Sequence, residues 1–88
     1  MKAIIIEDEL PSARRLERLL SDFNIEILVT LNSVKSSVLW FQKNEHPNII
    51  FLDVQLSDGL CFEIFNQVEI NSKIIFTSPS TIKYFFSI

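Results

Sequence analysis

Ile49-Ile50-Phe51-Leu52-Asp53 is the stretch on which the fold turns: the most apolar run of the chain, ended abruptly by a carboxylate. A continuous apolar run of this length, rather than an alternating one, suits a strand covered on both faces. Upstream, Ala3-Ile4-Ile5-Ile6 repeats the pattern and opens onto Glu7, Asp8 and Glu9. Downstream, Ile74-Ile75-Phe76 does so again and gives way to Thr77 and Ser78. Ile25 to Val29, interrupted by Glu26, reads as a half-exposed edge strand.

Helical patterns fill the intervals. Pro11 stands where a first helical turn tolerates a missing N–H, and Ala13, Leu16, Leu19, Leu20 and Phe23 recur at helical spacing. Asn32 or Ser33 can cap a second helix carrying Val34, Val38 and Phe41 on one face, with Leu39 and Trp40 beside them, ending near Pro47. After a turn containing Ser57, Asp58 and Gly59, the residues Leu60, Cys61, Ile64, Phe65 and Val68 trace a third amphipathic helix. Strict strand–helix alternation predicts an α/β fold: a doubly wound parallel sheet with right-handed crossovers and helices on both faces.

Composition sets the limits. The 88 residues hold one domain, and with 48% apolar and 22% charged residues the chain is globular rather than disordered. A net charge of −3 supplies no basic field for nucleic acid, and Arg14, Arg15 and Arg18 read as a solvated helix face, so direct DNA binding is not expected. The lone Cys61 has no internal partner and suits a buried structural thiol in a reducing compartment. No secretion signal and no apolar run of bilayer length is visible, which points to a cytoplasmic chain with no membrane association. His46 lies in a connection and reads as solvent-facing.

In an open parallel sheet, reactive groups gather beyond the carboxyl ends of the strands, near the point where strand order reverses. If the first, third and fourth strands are neighbours, Glu7, Asp8 and Asp53 converge on one rim with the hydroxyls of Thr77 and Ser78. Clustered carboxylates repel, and the compensation that suits them is a hard divalent cation, with Mg²⁺ the natural candidate. Mg²⁺ takes one or two carboxylates plus a phosphoryl oxygen, which leaves a carboxylate free as nucleophile. Each residue taken singly has a plainer role, as a loop charge, a turn former or a surface hydroxyl. The joint pattern is what points to phosphoryl transfer.

The segments Ile4-Ile5-Ile6-Glu7-Asp8-Glu9, His46-Pro47-Asn48-Ile49-Ile50-Phe51-Leu52-Asp53 and Ile74-Ile75-Phe76-Thr77-Ser78 resemble, in order and separation, the strand ends of bacterial two-component response-regulator receiver domains. The turn Asp53-Val54-Gln55-Leu56-Ser57-Asp58-Gly59-Leu60 is similar to the LytTR-type branch, in which a DNA-binding domain normally follows the receiver. The resemblance implies a flavodoxin-like sheet of order 2-1-3-4. It makes Asp53 the phospho-acceptor and Asp8 a direct metal ligand, with Glu7 assisting through water and Gln55 lending its backbone carbonyl. Ser78 is implied as the switch hydroxyl, with Thr77 the alternative one residue earlier. The implied partner is a sensor histidine kinase, which donates the phosphoryl group from a phosphohistidine.

The sequence departs from that family after Ser78. A complete receiver has a fifth strand ending in a Lys, and residues 79–88 lack both that pattern and the usual fourth helix; Lys83 comes too early for the role. The expectation is a receiver over residues 1–88 that is incomplete at its C-terminus, without fifth strand, last helix or output domain. An open fourth-strand edge is a route to strand-edge association or a homodimer. Alternatively Tyr84, Phe85, Phe86 and Ile88 fold back over it. A truncated piece, a swapped dimer and early termination all remain open as explanations. The alternative function is a degenerate, non-phosphorylated receiver acting as a protein-interaction module. An aspartate-nucleophile phosphatase is disfavoured, because that chemistry wants a second Asp two residues after the nucleophile and Gln55 stands there. A single Gly likewise excludes a glycine-rich nucleotide loop.

Overall fold

The computed structural model describes residues 1–77 in full and 82–87 through their backbone. The elements run β1 (Lys2–Ile6), α1 (Leu10–Ser21), β2 (Glu26–Leu31), α2 (Val34–Lys43), β3 (Ile49–Asp53), β4 (Gln55–Leu56), β5 (Gly59–Leu60), α3 (Phe62–Phe65), β6 (Lys73–Thr77) and β7 (Ile82–Ser87). The main sheet has the order β2-β1-β3-β6-β7. Its first four strands are mutually parallel, with Ala3 to Ile6 in register with Ile49 to Leu52, and Ile49 to Asp53 in register with Lys73 to Thr77.

Period-two alternation divides these strands between two cores. Ile4, Ile6, Ile50, Leu52 and Ile74 point to one face, where Val34, Val38 and Phe41 of α2 and Ile64 of α3 cover them. Ala3, Ile5, Ile49 and Phe51 point to the other, under Ala13 and Leu20 of α1. The uninterrupted apolar runs are explained by this arrangement, since both faces of β1 and β3 are covered. β2 lies at the edge and alternates between exposed and half-buried positions.

Several expectations are corrected. The sheet does not end open at the fourth parallel strand. The alternative, a tail folded back over that edge, holds for Tyr84 to Phe86, since β7 pairs antiparallel with β6, Ile74 opposite Phe86 and Phe76 opposite Tyr84. Ile88 lies outside the described residues. The connection between β6 and β7 is far too short for a parallel crossover, which needs about a dozen residues or more, so only an antiparallel strand can fill that place. The third helix is a single turn, Phe62–Phe65, rather than a run from Leu60 to Val68. Leu60 is instead held in a miniature hairpin with Gln55, and Asn66, a poor helix interior residue, closes the turn.

On α1, Leu19 is exposed because it stands off the face that Ala13 and Leu20 turn to the sheet, and Phe23 is exposed because it follows the helix end, capped at Asp22. α2 stops at Lys43, well before Pro47: Asn44 turns to an extended conformation and its Nδ2 donates to the Trp40 carbonyl at 2.9 Å. His46 is half-buried rather than solvent-facing, edge-on to Phe41 at 5.1 Å, with Nδ1 accepting from the Asn71 N–H at 3.3 Å. Cys61 is fully buried and unpaired. Among the described residues no helix is long and apolar enough to cross a membrane.

Candidate metal and phosphoryl site

β1 and β3 lie side by side with Ile6 opposite Leu52, so the next residue of each strand brings Glu7 against Asp53 at the carboxyl rim of the sheet. Asp8 joins them: one carboxylate oxygen from each of Glu7, Asp8 and Asp53 lies within 4.8 Å of the others. Glu7 and Asp53 are half-buried and Asp8 is exposed. Thr77 ends β6 directly beside Asp53 in the paired register. Gln55, two residues further along, is exposed in β4 opposite Leu60. Ser78 lies outside the described residues.

The electrostatics show the strain of this arrangement. Burial, then a hydrogen bond to Asp53 and that group's negative charge, push the Glu7 carboxyl up from 4.5 to about 8, although the Glu9 N–H partly offsets the rise. At neutral pH without a cation, Glu7 therefore holds a proton shared toward Asp53. A bound cation does the same job as that proton by neutralising the cluster. All the donors are hard oxygens, the rim is open on the Asp8 side, and the charge is concentrated on one sheet edge, so the residues fit Mg²⁺. The Cys61 thiol, raised to about 11 by burial and by the charge of Asp53, stays protonated and plays no nucleophilic part.

Among the described residues a surface pocket lies between α2 and α3, lined by Val34, Lys35, Asp58 and Glu63 among others, and none of the clustered carboxylates lines it. The loop that follows Asp53 is ordered by bonds the sequence did not announce. Asp58, read as a turn former, reaches across to α2: its Oδ1 accepts from the Val34 N–H at 2.6 Å and its Oδ2 from the Lys35 N–H at 3.0 Å. These two bonds hold the Asp58 carboxyl below its usual range. No local signal marks this pairing, since the partners stand 24 positions apart.

Comparison with known proteins agrees with the geometry. No protein-family profile matches the chain. Over 67 residues, 75% of this chain, it is 36% identical to the sensory transduction protein LytT of Bacillus anthracis, of which it spans only 27%. Among solved structures it is similar to the response regulator PhyR of Brucella abortus, with TM-score 0.74 and 23% identity over 85% of this chain and 32% of that one. The receiver domain of Erythrobacter litoralis PhyR gives TM-score 0.65 and 24% identity over 85% of this chain and 60% of that one. The PhyR anti-anti-sigma factor of Bartonella quintana gives 0.63 and 26% over 85% and 31%. By fold, the chain is a flavodoxin-like α/β receiver (REC) domain of the kind found in bacterial response regulators.

Proposed function

We propose that the chain accepts a phosphoryl group on Asp53 from the phosphohistidine of a sensor histidine kinase, in a Mg²⁺-dependent reaction in the cytoplasm. The convergence of Glu7, Asp8 and Asp53 within 4.8 Å carries this reading. Asp53 ends a rigid buried strand, so its carboxylate is fixed in place for attack, and positioning supplies much of the rate in such transfers. A carboxylate oxygen of Asp53 forms the new O–P bond as the P–N bond breaks, and the departing imidazole nitrogen keeps the electron pair and takes a proton. Asp8 would hold the metal directly, Glu7 through water, and Gln55 through its carbonyl. When bound, the metal supplies neutralisation of the charge that the phosphoryl group adds.

Ser78, or Thr77 beside Asp53 in the sheet, would then hydrogen-bond the transferred group. The likeness to LytT, together with the turn from Asp53 to Leu60, favours the LytTR-type branch. A second reading is supported by β7: an antiparallel strand stands where a complete receiver continues with a parallel one, as suits a receiver-like interaction module that is not phosphorylated.

Incubation with Mg²⁺ and acetyl phosphate, followed by intact mass measurement, separates the two. A phosphate adduct on the wild-type chain that disappears in Asp53→Asn is expected. An undiminished adduct in that variant, or none on the wild type, returns the chain to the interaction-module reading.

A further inference from the structure

The junction between β2 and α2, Leu31 to Lys35, ties down both halves of the acidic site. On one side the Glu7 N–H donates to the Leu31 carbonyl at 2.8 Å. On the other, Ser57 Oγ donates to the Asn32 carbonyl at 3.2 Å, and the Asp58 carboxylate takes the Val34 and Lys35 N–H groups. Within the loop the Cys61 N–H donates to the Val54 carbonyl at 2.8 Å, and Leu56 is buried in the core. The segment from Asp53 to Cys61 is therefore a closed unit hung on the same junction as Glu7.

α2 has its own local cap, since Ser33 Oγ accepts from the Ser36 N–H at 3.0 Å. The two N–H groups that this cap leaves over go to Asp58 instead of water. A helix end needing only satisfaction could have used solvent, because the Lys35 end is exposed. A carboxylate brought from the loop after Asp53 does more: it fixes that loop's distance from α2 and from the junction that holds the Glu7 backbone.

We infer that Asp58 is a positioning residue for the metal and phosphoryl site, locking the loop after Asp53 to α2 so that α2, loop and acidic cluster move as one unit. The inference rests on the receiver reading of Glu7, Asp8 and Asp53. Asp58 bonds to none of the three carboxylates, so its effect on a cation there is carried through the loop it fixes, and couplings of that kind change affinity by about two- to thirtyfold. Coupling is reciprocal, so a cation at the cluster must in turn tighten the Asp58 bonds to Val34 and Lys35.

The test is a Mg²⁺ titration of the full chain followed by NMR, with amide exchange at Val34 and Lys35 read in parallel. Asp58→Ala should weaken Mg²⁺ binding by about threefold or more, and Asp58→Asn, which keeps one acceptor oxygen, should fall between it and the wild type. Ser33→Ala removes a cap from the same helix without touching the loop; it should lower the melting temperature and leave the Mg²⁺ constant in place. In the wild type, Mg²⁺ should slow exchange at Val34 and Lys35, and in Asp58→Ala it should not. Should Asp58→Ala fail to fold, Asp58→Asn against Ser33→Ala carries the same comparison. Mg²⁺ binding equal in the Asp58 variants and the wild type overturns the inference alone. A wild type that takes up no Mg²⁺ overturns the phospho-acceptor reading and this inference with it.

Discussion

The Glu7 carboxyl meets the Asp53 carboxylate across the rim between β1 and β3, and a hydrogen bond between them requires a proton on one of the two. In the unfolded chain Glu7 titrates near 4.5, and in the fold near 8. Between those values the folded state binds more protons than the unfolded one, so stability falls as pH rises. The contribution is fully present below 4.5 and is lost as pH passes 8. Thermal melts of the metal-free chain should therefore show a declining Tm across this window. Glu7→Gln, which keeps a donor but cannot ionise, should flatten the decline, and parallel curves for the two proteins would contradict the assignment.

A divalent cation reverses that trend. It favours the ionised Glu7, so Mg²⁺ binding should release a proton and tighten as pH rises toward 8. At a hundredfold excess over its dissociation constant, Mg²⁺ should stabilise the fold by about 2.7 kcal/mol and raise Tm by about 10 °C or more. Asp8→Asn and Asp53→Asn should each remove most of that rise, as should a chelator. Calorimetric scans with and without Mg²⁺ check this, and identical scans count against a metal at this rim.

The central strand offers a test of the core. Ile50 is 1% exposed, lies between Ile4 and Ile74 in register, and faces the cluster under α2 and α3. Ile50→Ala should cost about 2–5 kcal/mol, because neighbours on two strands cannot collapse into the space it leaves. Leu28, on the edge strand and 39% exposed, should tolerate the same change at a cost of about 0.5 kcal/mol or less. Urea denaturation measures both, and equal losses would mean that β3 is not the covered strand described.

The two halves of this molecule were unequally legible in the sequence. The apolar runs at Ala3 to Ile6, Ile49 to Leu52 and Ile74 to Phe76 announce strands because burial on both faces removes any polar alternation. The convergence of Glu7, Asp8 and Asp53 follows once those strands are neighbours. The segment after Asp53 was illegible for a physical reason. Its helical spacing from Leu60 to Val68 is overridden by the Gln55–Leu60 pairing and by Asp58, whose partners are remote in sequence. The apolar tail of Tyr84, Phe85 and Phe86 suggested a cover for the β6 edge, but apolar residues show no strand direction, which the short link to β6 dictates.

Gly59 shows how tightly that segment is drawn. Its φ of +151° is a conformation that a side chain strains to adopt, and a Cβ placed there would collide with Glu63 Oε2. The Glu63 carboxylate is not idle, because it accepts from the Leu60 N–H at 2.9 Å. Gly59→Ala should therefore cost about 1–3 kcal/mol from backbone strain alone. Removing the obstruction with Glu63→Ala in the same chain should not restore stability, since the strained φ persists and the Leu60 N–H loses its acceptor. Denaturation of the two single variants and the double variant decides the point. Full recovery in the double variant would mean that the side-chain collision, and not the backbone, is why glycine stands at the turn between β4 and β5.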